Sequence, residues 1–313
     1  MNNIVVAIVS SEKTFEKLDQ IVFNDAFLTN RHKFDLAVVF NSNTKIENNF
    51  KTNFDYIFYR ENIGLDPGGF NYLIQKLPDY NYFFLMHDDH FFLDNNWLDF
   101  SIQIIKDNPN VDILGNILFN QLPSSLQNHF DSFIKSLNLN HLLNYSKNPE
   151  FIHGISGLFT FKAIKALKSK YGSIPFVNSN DKLMAMFCER LTTLLFNDCS
   201  INYAQFPGEI FTFLYHGTNN TLSVYFSEAN KYLALNNIEK AIEYFNKYIE
   251  LANKLNFFND IHLVYAHLAY IYKTQNNMEQ SQYYCNLLVN CNITKRLLDE
   301  IIEEFELKDV III

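Results

Sequence analysis

The densest concentration of potential chemistry in the chain lies in four consecutive residues. In YNYFFLMHDDHFFLDNNWL, a run of apolar and aromatic residues delivers His87, Asp88, Asp89 and His90 to the carboxyl end of what reads as a buried strand. Carboxylate oxygens and imidazole nitrogens together suit a divalent cation such as Mn²⁺ or Mg²⁺, which in turn neutralises a diphosphate. Strand alternation sets Asp88 and His90 on one face and His87 and Asp89 on the other, so one face meets the ligand. A solvated acidic turn that caps the next segment would use the same residues without chemistry. The strongly apolar strand in front, and an unusual loop upstream, favour the ligand site.

That loop is RENIGLDPGGFNYLI, Arg60 to Ile74, directly after a third predicted strand. Gly64, Gly68 and Gly69 permit positive φ and close backbone approach, and the segment then enters a helix whose N-terminus favours a negative ligand. A tight strand-to-helix turn around Pro67 would need the same glycines.

Positioning these residues requires a sheet covered on both sides. Up to about residue 220, the continuous apolar runs Val5 to Ser11, Phe34 to Asn41, Phe54 to Arg60 and Tyr80 to His87 alternate with helix-sized segments. This is an α/β pattern, with ligands expected beyond the carboxyl ends of the strands. From about Thr221 the period becomes helical, which divides the chain into a domain over 1–220 and an all-α module over 221–313. Within that module Ala229, Tyr232, Asn236-Asn237, Ala241 and Phe245 are matched by Ala269, Tyr272, Asn276-Asn277, Ser281 and Cys285, at a constant offset of 40 residues. Small residues recur where two helices must approach closely. The pair resembles tetratricopeptide repeats with extra residues around NFFND, departing from their ~34-residue period. An ordinary helical bundle is the alternative, and Lys295 to Leu307 forms a final helix.

The order of a first strand, then Asn62, Gly64, Asp66, Gly68, Gly69 and Asn71 in the pattern NxGxDxGGxN, then a hydrophobic strand ending in an acidic cluster, resembles family-2-type glycosyltransferases of the GT-A fold. The likeness covers roughly residues 3 to 217. It implies a Rossmann-like, mostly parallel catalytic domain, a nucleotide-diphospho-sugar donor and a DxD-type motif for Mn²⁺ or Mg²⁺. Carried over, Asp88 and His90 take the first and third places of that motif as metal ligands, with Asp89 between them near sugar or ribose. The triplet His87-Asp88-Asp89 is the other register, and it would make Asp89 the ligand. Arg60, Asn62, Gly64, Asp66 and Gly69 would line the nucleotide. Where many relatives end their second strand on an acidic residue, this chain has Phe40-Asn41-Ser42-Asn43, so Asn41 or Asn43 would meet the base or ribose as a neutral group.

Downstream, HGISGLFTFKAIKAL resembles the family's small-residue segment beneath the acceptor, where Gly154 and Gly157 leave room for sugar. An inverting transfer needs a carboxylate to take the acceptor's proton. The resemblance favours Asp181, at the start of a helix, over Glu189, which also fits an ion pair with Arg190. His216, after a later apolar strand, would complete the metal site or touch the diphosphate, and His153 competes for that role.

With 34 acidic against 25 basic residues the chain carries a net charge of −9, so it has no broad positive field for nucleic acid or anionic lipid. No apolar run approaches the roughly 20 residues of a membrane span, and the first residues read as a strand rather than a signal peptide. Cys188, Cys199, Cys285 and Cys291 include no CxxC pair and read as reduced thiols. These features predict a cytoplasmic protein, at most peripheral to the inner membrane face. Its expected partners are a nucleotide sugar and a glycan, lipid-linked saccharide or protein acceptor, with a protein partner or second copy on the repeats. Two rivals stand beside this reading: an inactive, repeat-based scaffold, and a nucleotidyltransferase. The second would need a glycine-rich, lysine-containing loop after Val9-Ser10-Ser11, which this sequence does not have.

Overall fold

A computed structural model describes residues 3–11, 14, 18, 25–42, 54–119, 122–148, 150–174, 181–207, 214–216, 218–255, 257–258 and 260–311, without the side chains of 215, 216, 218–221 and 255. The chain divides into two compact units, Met1–Gly217 and Thr218–Ile313.

In the first unit the elements run β1 (Ile4–Ser11), α1 (Asp25–Asn30), β2 (Asp35–Asn41), β3 (Tyr56–Arg60), α2 (Leu65–Lys76), β4 (Tyr82–His87), β5 (His90–Phe91), α3 (Trp97–Asp107) and β6 (Ile113–Phe119). They continue with α4 (Ser124–Ser136), β7 (Glu150–Thr160), α5 (Phe161–Tyr171), α6 (Lys182–Asp198), β8 (Tyr203–Gln205) and β9 (Tyr215–His216). Seven strands form one sheet in the order β3-β2-β1-β4-β7-β6-β8, and β5 pairs with β9 in a separate ribbon. Among the described residues of the large sheet, only β7 is antiparallel to its neighbours.

Alternation in the central strands explains their unbroken apolar runs. Val5, Ala7 and Val9 of β1 and Phe83 and Leu85 of β4 pack into a core with Phe70 and Leu73 of α2 and Leu191 and Leu195 of α6. Val6, Ile8, Phe84 and Met86 face the opposite core, with Phe27 of α1 and Trp97 and Leu98 of α3. Both faces are covered, as a mostly parallel sheet requires. The chain order reverses between β1 and β4, which sit side by side and yet leave toward opposite edges of the sheet, and such a switch point opens a crevice at the carboxyl ends.

Gly68 and Gly69 lie inside α2 and do not take the positive φ expected of them; Gly64 does, at 75°. Their role is close approach. A Cβ on Gly69 would stand 2.6 Å from Val9 Cγ1 and 3.2 Å from Asn41 Nδ2. The Val9 side chain is β-branched and buried, so it cannot swing away. Gly69→Ala should therefore lose about 1–2 kcal/mol of stability, the overpacking cost outweighing the gain in helix propensity. A shift of the urea midpoint at constant slope would measure it, and an unchanged midpoint would refute the contact.

The second unit contains α7 (Thr218–Ala234), α8 (Ile238–Leu255), α9 (Ile261–Thr274), α10 (Met278–Val289) and α11 (Lys295–Glu304). The 40-residue offset read in the sequence is repeated in its geometry. Asn236 and Asn276 both take positive φ, at 55° and 57°. Asn237 N donates to Tyr232 O and Asn277 N to Tyr272 O, at 2.8 and 2.9 Å. Tyr232 stacks with Tyr244 at 5.4 Å, and Tyr272 with Tyr284 at 5.7 Å. Two hairpins with one turn chemistry thus follow each other. Among the described residues no helix is long and apolar enough to cross a membrane.

Candidate active site

Parallel pairing brings four strand ends level. Ser11 is registered with Asn41, Asn41 with Arg60, and Val9 with His87. At the β2–β3 side Arg60 Nη1 donates to Asn41 Oδ1 at 2.7 Å and Nη2 to Ile63 O at 2.6 Å, while Asn41 Nδ2 donates to Leu65 O at 3.0 Å. Arg60 thus clips the loop that begins α2, and burial lowers its pKa. The buried Asn62 Oδ1 in that loop has no hydrogen-bond partner among the described residues, an acceptor suited to a ligand's donor. Asn71 is committed to structure, its Oδ1 accepting from Ile174 N at 2.9 Å. Asn43 lies outside the described residues.

β4 ends at His87, and Asp88-Asp89 form a turn. Strand alternation therefore does not run through the cluster, and the shared face predicted for Asp88 and His90 is replaced by a reversal into β5. Asp88 is 5% exposed, and its Oδ2 accepts from Ser10 Oγ at 2.6 Å. Burial pushes its pKa up to about 6, opposed by the Ser10 and Thr14 hydroxyls and by His87. Asp89 is the open member, with 37% of its side chain exposed. His90 is fully buried, and its Nδ1 accepts from His87 N at 3.1 Å. That contact puts the proton of a neutral ring on Nε2. Ligation by His90 would thus require exchanging the His87 amide contact.

His87 reaches the other way. Its Nε2 lies 2.8 Å from Gly154 O and its Nδ1 3.3 Å from Asp66 Oδ2, with the ring edge-on to Phe70 at 5.1 Å. Burial alone would lower its pKa, but Asp66, Asp89 and the Gly154 carbonyl together raise it to about 10. Asp66 stands in the first turn of α2, where the helix N-terminus also favours its charge.

The small-residue segment around Gly154 is strand β7, with a bend, and it leads into α5. Gly154 and Ile155 both have positive φ, 61° and 53°. Gly154 N donates to Glu189 Oε2 at 3.2 Å, so Glu189 joins the cluster through one backbone residue. The neighbouring Arg190 guanidinium lies over the Phe151 ring at 4.1 Å. Asp181 is exposed and caps α6, its Oδ1 accepting from Leu183 N at 2.8 Å. His153 precedes Gly154 on β7. The backbone of His216 pairs with that of His90, while its side chain lies outside the described residues.

The structure thus gathers Asp66, His87, Asp88, Asp89 and His90 at the switch point, with Glu189 linked to them. Among the described residues no three His, Cys, Asp or Glu side chains form a metal-ligand group. One or two carboxylates are nevertheless the usual protein share of a magnesium-type site that substrate phosphates complete, and Asp88 and Asp89 fit that share.

No family model matches the chain, and no curated protein matches it. Among solved structures it is similar to S. aureus TarS, at 11% identity and a TM-score of 0.42 over 96% of this chain and 50% of that one. It is also similar to S. aureus TarS 1-349, at 11% identity and a TM-score of 0.39 over 99% of this chain and 88% of that one. A third similar structure is the mannosyltransferase PcManGT from Pyrobaculum calidifontis in complex with GDP-Man and Mn²⁺, at 11% identity and a TM-score of 0.39 over 98% of this chain and 87% of that one. The chain spans half the length of the first of these.

Proposed function

We propose that the first unit is a GT-A-type glycosyltransferase, passing a sugar from a nucleotide-diphosphate donor to a glycan, lipid-linked saccharide or protein hydroxyl. The observation that carries this reading is the convergence of Asp66, Asp88 and Asp89 at the β1/β4 switch point, with Glu189 joined to them through Gly154. Carboxylates alone would repel a diphosphate, so the arrangement calls for a divalent cation. Asp88 and Asp89 would hold Mn²⁺ or Mg²⁺, which would neutralise the leaving diphosphate. Asn62 is a neutral group suited to the base or ribose, while Asn41, with both amide atoms bonded, braces the loop that carries it. In an inverting transfer the acceptor oxygen bonds to the anomeric carbon as the bond to the diphosphate breaks, and a carboxylate takes the hydroxyl proton. Glu189 and Asp181 are the two candidates for that base. The repeated hairpins of the second unit, read as tetratricopeptide-like, would hold a protein partner or a second copy.

The test is a screen of common nucleotide sugars, with and without Mn²⁺, that follows both unfolding temperature and diphosphate release. A metal-dependent rise in unfolding temperature with at least one donor, and diphosphate release lost on Asp89→Asn, is the expected result. Absence of both with every donor would sink the reading.

A further inference from the structure

The pairing of β4 with β7 runs from Tyr82↔Thr160 to Leu85↔Gly157 and stops there. Beyond it β7 bends away through two successive left-handed residues, Gly154 and Ile155. Where the backbone ladder ends, a side chain continues the connection, because His87 Nε2 meets Gly154 O at 2.8 Å. The opposite side of the same residue is held as well, Gly154 N donating to Glu189 Oε2 at 3.2 Å. On its other edge His87 Nδ1 faces Asp66 at the start of α2, at 3.3 Å. The fit is close: a Cβ on Gly154 would lie 2.8 Å from His87 Nε2. Gly154 O can only accept, so Nε2 donates to it, while Nδ1 faces the Asp66 carboxylate; the two ring edges thus hold two different elements.

We propose that His87 is a positioning residue, a clamp that fixes the Asp66 turn of α2 against the Gly154 bend of β7 and so holds Glu189 in register with the donor-side carboxylates. It rests on the transferase reading of the same site and adds to it a role outside the metal triplet. Loss of the clamp leaves the sheet and both cores in place and frees two loops to drift relative to each other. A displacement of about 1 Å between reacting groups is enough to slow transfer on the order of 10²-fold.

His87→Phe keeps a ring against Phe70 and removes both contacts. In the full chain, hydrogen exchange should quicken at Gly154 and Ile155 and also at Leu65, Asp66 and Gly68, while β1 and β2 amides keep their rates. With an active donor, kcat should fall about 10²-fold and donor KM change less than about threefold. The losses from Asp66→Asn and Glu189→Gln, coupled in the parent chain, should become independent once His87 is Phe. Should His87→Phe fail to fold, Asp66→Asn reads the same clamp from one end, and exchange must then rise at Gly154 too. Faster exchange at only one end, or parent kcat in His87→Phe, overturns the proposal. Two-ended exchange in a chain that turns over no nucleotide sugar keeps the clamp and discards the transferase.

Discussion

Asp88→Asn should unfold at a higher temperature than the parent chain while transferring sugar about 10²- to 10³-fold more slowly. The two effects have one origin. Asp88 is 5% exposed and beside Asp89, so in the absence of a cation the folded state holds a carboxylate charge away from water and near a like charge. An asparagine of the same shape still accepts the Ser10 hydroxyl through its one oxygen and weakens the Thr14 contact, a smaller loss than the buried charge it removes. The gain is about 1–3 kcal/mol, a rise of several degrees in a domain of this size. The loss in rate arises because the charge would hold the cation that neutralises the leaving diphosphate. Asp89→Asn separates the two, since its side chain is 37% exposed. Its unfolding temperature should stay near the parent value while transfer still falls. Mn²⁺ added before heating should stabilise the parent more than either variant. An Asp88→Asn chain that melts lower than the parent and transfers at the parent rate would remove Asp88 from the site.

The path from residues to this site was legible in parts, and the parts differ for physical reasons. The four parallel strands were visible because a sheet covered on both faces demands unbroken apolar runs, and Val5 to Ser11 and Tyr80 to His87 are such runs. The end of β4 was legible for the same reason, since polarity begins where the core stops. The placement of the later strands depends on partners distant in sequence. That β7 would lie between β4 and β6, bent at Gly154, is set by pairing with residues 31 to 78 positions away, and no local period encodes it. Glu189 illustrates the consequence. Beside Arg190 it read equally as a helix-face ion pair, but the strand bend supplies an amide for its carboxylate and Phe151 receives the guanidinium. Gly68 and Gly69 show the converse: of the two demands that select glycine, close approach and positive φ, the sequence cannot say which applies, and here thin helix–sheet packing alone accounts for both residues. The hairpin repeat was legible to single residues because its turn is local chemistry, an Asn in the left-handed region flanked by stacked tyrosines.

That repeat unit should also lose stability in mild acid, through one histidine. His267 of α9 stacks on Phe245 at 5.1 Å and meets Phe226 and Phe305 edge-on at 5.4 and 4.7 Å. Burial among these rings lowers its pKa from 6.5 to about 4. Proton counting gives the sign. Between pH 6.5 and about 4 the unfolded chain carries a proton on this imidazole that the folded chain refuses. Stability supported by the neutral ring is therefore intact above pH 6.5, falls as the pH drops through that window, and levels off below about 4. The full loss is about 3.5 kcal/mol, the free energy that separates an imidazole at 6.5 from one at about 4. Hydrogen exchange of α9 amides in the full chain isolates the effect from the carboxylates of the first unit. Protection there should weaken about 100-fold between pH 7 and 4.5, after correction for the intrinsic exchange rate. His267→Phe keeps an aromatic ring in the stack and cannot be protonated, so its α9 protection should be flat across the same range. Equal slopes in the parent and in His267→Phe would assign the acid sensitivity elsewhere.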